Sequence, residues 1–134
     1  MSRYLILKTD DRHVEAVRKN AKHASDAIPS NLKPDVVFLI QVTKSTSRSP
    51  TPVIRYRMNY DRYYKDATKE TDLLFGHHWG FILKGKNLKI LRHPFNMESV
   101  QKTKKNYGAG AIRYVWVDPI DAKVLEEGGY LDPA

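Results

Sequence analysis

The chain has 134 residues, 41% of them hydrophobic, with no cysteine and a formal net charge of +8 at pH 7. That length suits one domain spanning residues 1–134 whose apolar core needs no staple, and the missing thiols exclude disulfides, thiolate zinc, iron–sulfur clusters and a cysteine nucleophile. No apolar run approaches the roughly 20 residues of a membrane helix, and Lys8 arrives too early for a secretory leader, so the expected setting is cytoplasmic, away from membranes.

Tyr4 to Lys8, Y-L-I-L-K, reads as a first strand, after which Asp10 or Asp11 is placed to cap a helix over Arg12 to Ala24. The apolar face of that helix, Val14, Val17 and Ala21, is too small to sink into a lipid interface. Ser25 to Asp35 carries two prolines and capping residues and reads as a loop. V-V-F-L-I-Q-V from Val36 is the continuous apolar run of a buried, central strand. Thr43 to Pro52 lacks apolar anchors and is expected to be a surface loop from which Lys44 and Arg48 reach outward.

Val53 to Tyr60, V-I-R-Y-R-M-N-Y, is the most informative segment. Period-two alternation sends Arg55 and Arg57 to one face of a strand and Tyr56 and Tyr60 to the other. Cations and rings in close order suit nucleic acid, because phosphates need fixed positive donors and unstacked bases need aromatic planes. Arg62, Tyr63, Tyr64 and Lys65 extend the same composition, while a plain core-and-surface strand accounts for the alternation equally well.

Asp61 to Asp72 shows no clean helical stripe. Gly76 to Leu83, G-H-H-W-G-F-I-L, resumes strand character, and Lys84-Gly85-Lys86-Asn87 reads as a hairpin turn pairing Phe81 to Lys84 with Leu88 to Arg92. A short helix is expected after an Asn96 cap, ending in Lys102, Lys104 and Lys105, where cations complement the helix dipole. Asn106 to Gly110 reads as a loop, followed by the strand A-I-R-Y-V-W-V with Ile112, Tyr114 and Trp116 on one face and Arg113 on the other. Asp118 then caps a last helix, with Pro119 in its first turn, Ile120, Val124 and Leu125 as its buried stripe, and Gly128 as its stop. The sum is an α+β chain of five or six mostly antiparallel strands, forming a small, partly closed β-barrel with short flanking helices.

This order of elements resembles the PUA-like superfamily and, within it, the EVE group related to the YTH domains, from Tyr4 to Leu125. The carrying pieces are Y-L-I-L-K-T-D-D-R-H-V-E-A-V, L-K-P-D-V-V-F-L-I, H-H-W-G-F-I-L-K and G-A-I-R-Y-V-W-V-D-P-I-D-A-K-V-L. The resemblance implies a reader of RNA or DNA without enzymatic activity or cofactor, which in some members flips a modified base into an aromatic cage. Some relatives act alone, and others target larger nucleases or modification complexes. The chain lacks the usual glycine at Leu32-Lys33-Pro34-Asp35 and has no tryptophan in Ser25 to Asn31, so rings for a cage would come from Tyr56, Tyr60, Tyr63, Trp79 or Tyr107.

The phosphate-facing candidates are therefore Arg55, Arg57, Arg113, Lys44, Arg48, Lys104 and Lys105. The base-facing candidates are Tyr56, Tyr60, Trp79, Tyr107 and His78, Trp79 being flanked by residues that leave its ring partly open, whereas Trp116 reads as core. His77 and His78 point to opposite sides of an extended chain and do not form a chelating pair. No G-x-S-x-G, H-E-x-x-H or P-loop occurs. Two further readings stay open: a small-ligand or protein-interaction module with incidental charge, and a metal-dependent nuclease gathering two of Asp10, Asp11, Asp61, Asp66 and Asp72 with Glu70 and Lys69.

Overall fold

The computed structural model describes residues 2–43, 52–107 and 114–134. Its elements run β1 (Arg3–Asp10), α1 (Val14–Asn20), β2 (Lys22–Ser25), β3 (Val36–Thr43), β4 (Val53–Lys65), α2 (Glu70–Phe75), β5 (Phe81–Phe95), α3 (Met97–Val100), β6 (Tyr114–Trp116) and α4 (Pro119–Glu127). The strands form one six-stranded sheet in the order β2-β5-β4-β3-β1-β6. Pairing is antiparallel except for β1 with β3, which is parallel and in register from Arg3↔Val36 to Asp10↔Thr43.

Both faces of the sheet are covered, which is why β1 and β3 are apolar on both sides. Tyr4, Ile6, Val37, Leu39 and Ile54 pack under Met97 of α3 and Leu125 of α4. Leu5, Leu7, Phe38, Ile40 and Met58 pack under Val17 of α1 and Phe75 of α2.

Sheet pairing overrides local pattern in two places. The first helix stops at Asn20, Ala21 takes a left-handed conformation (φ 52°), and the chain turns into β2, which pairs with β5 through Lys22↔Lys84 to Ser25↔Phe81. The expected hairpin at Lys84 to Asn87 does not form, and β5 runs 15 residues straight through it against β4. Asn87 does adopt a positive φ of 54°. Between the pairs Arg57↔Lys89 and Asn59↔Lys86, β5 carries one residue more than β4, so the left-handed step is absorbed as a bulge.

Gly85 serves the same pairing by close approach. A Cβ there would lie 2.4 Å from Sδ and 2.6 Å from Cγ of the fully buried Met58. Gly85→Ala is expected to cost about 1–3 kcal/mol through overpacking, read as a lower denaturant midpoint. An unchanged midpoint would show that Met58 has room to swing aside.

Elsewhere local signals compete more evenly. Asp66 makes α2 from a segment without a stripe, its carboxylate accepting from the Glu70 and Thr71 N–H groups at 2.8 and 3.1 Å. Asn96 caps α3, accepting from the Ser99 N–H at 3.1 Å, but that helix ends at Val100, so Lys102, Lys104 and Lys105 lie beyond it and do not meet its dipole. Asp118 caps α4, accepting from the Ile120 N–H at 2.9 Å. Ile120 of the expected stripe is 59% exposed, because the helix is turned to bury Asp121 alongside Leu125.

Candidate functional site

The chain's excess charge sits on two adjacent strands. Strand β4 carries Arg55, Arg57, Arg62 and Lys65 against Asp61, and β5 carries Lys84, Lys86, Lys89 and Arg92 against no carboxylate. Seven of the eight net positive charges thus lie on this ribbon, while the other 15 cations and 14 carboxylates nearly cancel.

Pairing follows the same division. Off the ribbon, Arg3 meets Asp35 at 2.8 Å, Arg12 meets Asp10 at 3.2 Å, Lys22 meets Glu70 at 2.5 Å, and Arg18 pairs with Glu15. On it, Arg55, Lys65, Lys86, Lys89 and Arg92 are exposed and form no ion pair among the described residues. Lys84 is held by the Asn20 and Gly85 carbonyls at 3.1 and 3.0 Å, and Arg62 lies over the Tyr64 ring at 5.7 Å.

From Tyr56 onward the alternation expected of β4 places its side chains on two faces, whereas a bulge at Arg55 breaks it, so Ile54 and Tyr56 pack on opposite sides of the sheet. Arg57, opposite Leu39, faces the α3/α4 side and donates to the Leu131 carbonyl at 3.0 Å. Tyr56 and Tyr60 turn to the α1/α2 side and pack on the core there. Tyr60 meets Phe38 edge-on at 5.7 Å, and burial, with Tyr63 and Asp61 nearby, raises its pKa. Tyr63, 49% exposed, is the most open tyrosine of the ribbon.

At the end of the ribbon where Lys65 pairs with Phe81, two residues past Trp79, lies a cavity of about 180 Å³. Its walls include Lys8, Arg12, His13, His23, His77 and Trp79. Asp10 fixes one wall, accepting from the Arg12 and His13 N–H groups at 3.1 and 3.0 Å and lying 2.8 Å from His13 Nδ1. Thr71 Oγ1 fixes another, accepting from the Trp79 N–H at 2.9 Å, and His77 meets the Trp79 ring edge-on at 5.0 Å. Burial lowers the Lys8 pKa, opposed by the charge of Glu98.

Of the base-facing candidates, then, Trp79 lines this cavity and His78 does not. His78 is exposed and reaches toward Asp66, with Nδ1 at 3.5 Å, while its neighbour His77, also exposed, lines the cavity. His13 and His23 are ten positions apart in a segment read as one helix, and only the return of the chain into β2 brings them to one hollow. Among the described residues no three histidines and carboxylates are grouped to hold a metal ion.

Tyr107 is corrected outright: its ring is fully buried, its hydroxyl donating to Asp121 at 2.5 Å and accepting from the Asp118 N–H at 3.0 Å, so no base can stack on it. Lys105 donates to the Trp116 carbonyl at 2.5 Å, on β6, with β3 and β1 between it and the ribbon. Lys104 is exposed on the same segment. Lys44, Arg48 and Arg113 lie outside the described residues. Trp116, read as core, is half-buried with the Arg3 guanidinium 5.2 Å above its ring.

No family model and no curated protein matches the chain. Among solved structures it is similar to ASCH from Zymomonas mobilis, with a TM-score of 0.64 at 10% identity over 92% of this chain and 94% of that one. The fold is PUA-like: among the described residues, a six-stranded, mixed half-barrel sheet flanked by four short helices.

Proposed function

We propose that the chain is a non-enzymatic nucleic-acid-binding domain that lays RNA or DNA along the β4/β5 ribbon and receives a base at the Trp79 cavity. The observation that carries this reading is the gathering of seven of eight net charges, largely without carboxylate partners, on one pair of strands. Solubility alone would be served by charge placed anywhere. Like charges on adjacent strands repel, and a polyanion relieves that cost while releasing its own counterions.

The cavity at the ribbon's end supplies a different contact. An engineered cavity of about 150 Å³ takes up a benzene ring, so 180 Å³ leaves room for a single six-membered base. Trp79 and His77 offer ring surfaces, and Arg12, His13 and His23 offer polar edges. Recognition of a modified base, as in the EVE group, is the finer form of this proposal. Three of the carboxylates a nuclease could use have partners within the fold: Asp10 with Arg12 and His13, Asp66 with α2, and Glu70 with Lys22 and Tyr64.

A salt series of fluorescence anisotropy with labelled single- and double-stranded RNA and DNA tests the reading. Binding should weaken with a slope of log K near −0.7 per contacted phosphate on single strands and about −0.9 on duplex. Trp79→Leu, which keeps much of the packing volume, should weaken single-strand binding by about 1–3 kcal/mol while leaving the slope in place. Affinity that ignores salt would overturn the proposal, and cleavage of the labelled strands with magnesium or manganese would overturn its non-enzymatic part.

A further inference from the structure

We infer that the ribbon carries a built phosphate pocket on its α3/α4 side, formed by Arg57, Lys89, Asn59 and Asn87. This rests on the nucleic-acid reading for the source of the phosphate and narrows it to one place on the ribbon. The four side chains and Pro133 surround a cavity of about 310 Å³. Arg57 and Lys89 are direct cross-strand partners, an arrangement in which two like charges oppose each other. Among the described residues no Asp or Glu side chain lines the cavity. Two nearby acids are directed elsewhere: Glu126 accepts from the Tyr4 hydroxyl at 2.9 Å, and Asp132 folds back to within 3.1 Å of where a Gly129 Cβ would stand.

The lining is organised for an anion with several acceptor oxygens. Arg57 is oriented by its bond to the Leu131 carbonyl at 3.0 Å, which leaves its other N–H groups for a ligand. Asn87 holds a left-handed φ of 54°, a conformation asparagine adopts more readily than most side chains, and its carboxamide lines the cavity. Guanidinium, ammonium and two carboxamides make a set rich in donors, matched to a phosphate group. One side is closed by residues 131–134, where the Arg92 N–H donates to the Asp132 carbonyl at 2.9 Å and the Ala134 N–H to the Ile90 carbonyl at 2.8 Å. The phosphate entering is therefore a terminal one or an internal one at a turn of the strand.

Thermal unfolding with inorganic phosphate against chloride at matched ionic strength is the first arm. Phosphate should raise the midpoint of the native chain and not that of Lys89→Gln, an exposed substitution expected to leave the fold intact. Asn87→Gly, which keeps the backbone conformation, should weaken the effect. The second arm measures 5′-phosphorylated and 5′-hydroxyl oligonucleotides of one sequence. Lys89→Gln should cost about tenfold in affinity, on the phosphorylated strand alone if the pocket takes a terminal phosphate and on both if it takes an internal one. Phosphate acting no differently from chloride, with Lys89→Gln binding both strands as the native chain does, would overturn the pocket while salt-dependent binding leaves the ribbon standing. Absence of oligonucleotide binding at every salt concentration would remove the ribbon reading, and the inorganic phosphate arm would then decide the pocket by itself.

Discussion

Asp121→Asn is expected to cost the fold about 3 kcal/mol at neutral pH, the scale of breaking a buried, multiply bonded acceptor. Asp121 is fully buried in α4 and accepts from the Lys102 N–H at 2.6 Å, the Thr103 N–H at 3.0 Å, and the Thr103 and Tyr107 hydroxyls at 2.5 Å each. Those bonds tie the segment after α3 to the start of α4. Burial by itself raises the carboxyl's pKa, but the bonds from Thr103, Tyr107 and the Lys102 backbone outweigh it and bring the value down to about 2. Burial first, and the bond to Asp121 second, push the Tyr107 hydroxyl up to about 12, so it stays a donor.

The sign of the pH effect follows from that depression. The folded chain holds the Asp121 proton less tightly than the unfolded chain, so the stabilisation is complete above the ordinary value of 3.8 and is lost as pH falls toward about 2. Lowering the carboxyl's pKa from 3.8 to about 2 corresponds to about 2.5 kcal/mol of stability. Asparagine does not ionise in that range, so the variant should lack this part of the acid limb as well as the stability. Urea unfolding from neutral pH down to about pH 2 reads both effects. A variant with the native midpoint and the native acid limb would show that these bonds do not hold the segment.

Legibility in the sequence followed the range of the forces involved. Strand β1, strand β3 and the Asp118 cap with Pro119 depend on neighbouring residues and could be read directly. Strand β2 could not, because K-H-A-S becomes a strand only by pairing with β5, whose Lys84 lies 62 positions further along its chain partner Lys22. The misreading of Lys84 to Asn87 as a turn had a functional consequence. A turn there divides β5 into two short strands and separates Lys84 and Lys86 from Lys89 and Arg92, which the structure joins on one strand beside β4. Tyr107 was misplaced for a different reason: a tyrosine between a basic run and glycines carries no local sign that a buried aspartate waits 14 residues on.

The charge on that row leads to the largest functional effect. Reversing Lys86, Lys89 and Arg92 to glutamate together should weaken nucleic-acid binding at about 50 mM salt by at least about a hundredfold and flatten the salt dependence by about two units of slope on single strands. All three side chains are exposed, so each substitution should leave the unfolding free energy within about 0.5 kcal/mol of its native value. The control is a second triple reversal at Lys19, Lys33 and Lys123, which are exposed on α1, the loop before β3 and α4. Each set removes six charges and takes the chain from +8 to +2. A domain that attracts polyanions through its overall field would lose affinity equally in both. A domain that grips them along β4 and β5 should lose most of it in the first set and little in the second, because contacts beyond about one Debye length are screened. Equal losses would mean that the placement of charge on the ribbon has no bearing on how the strand is held.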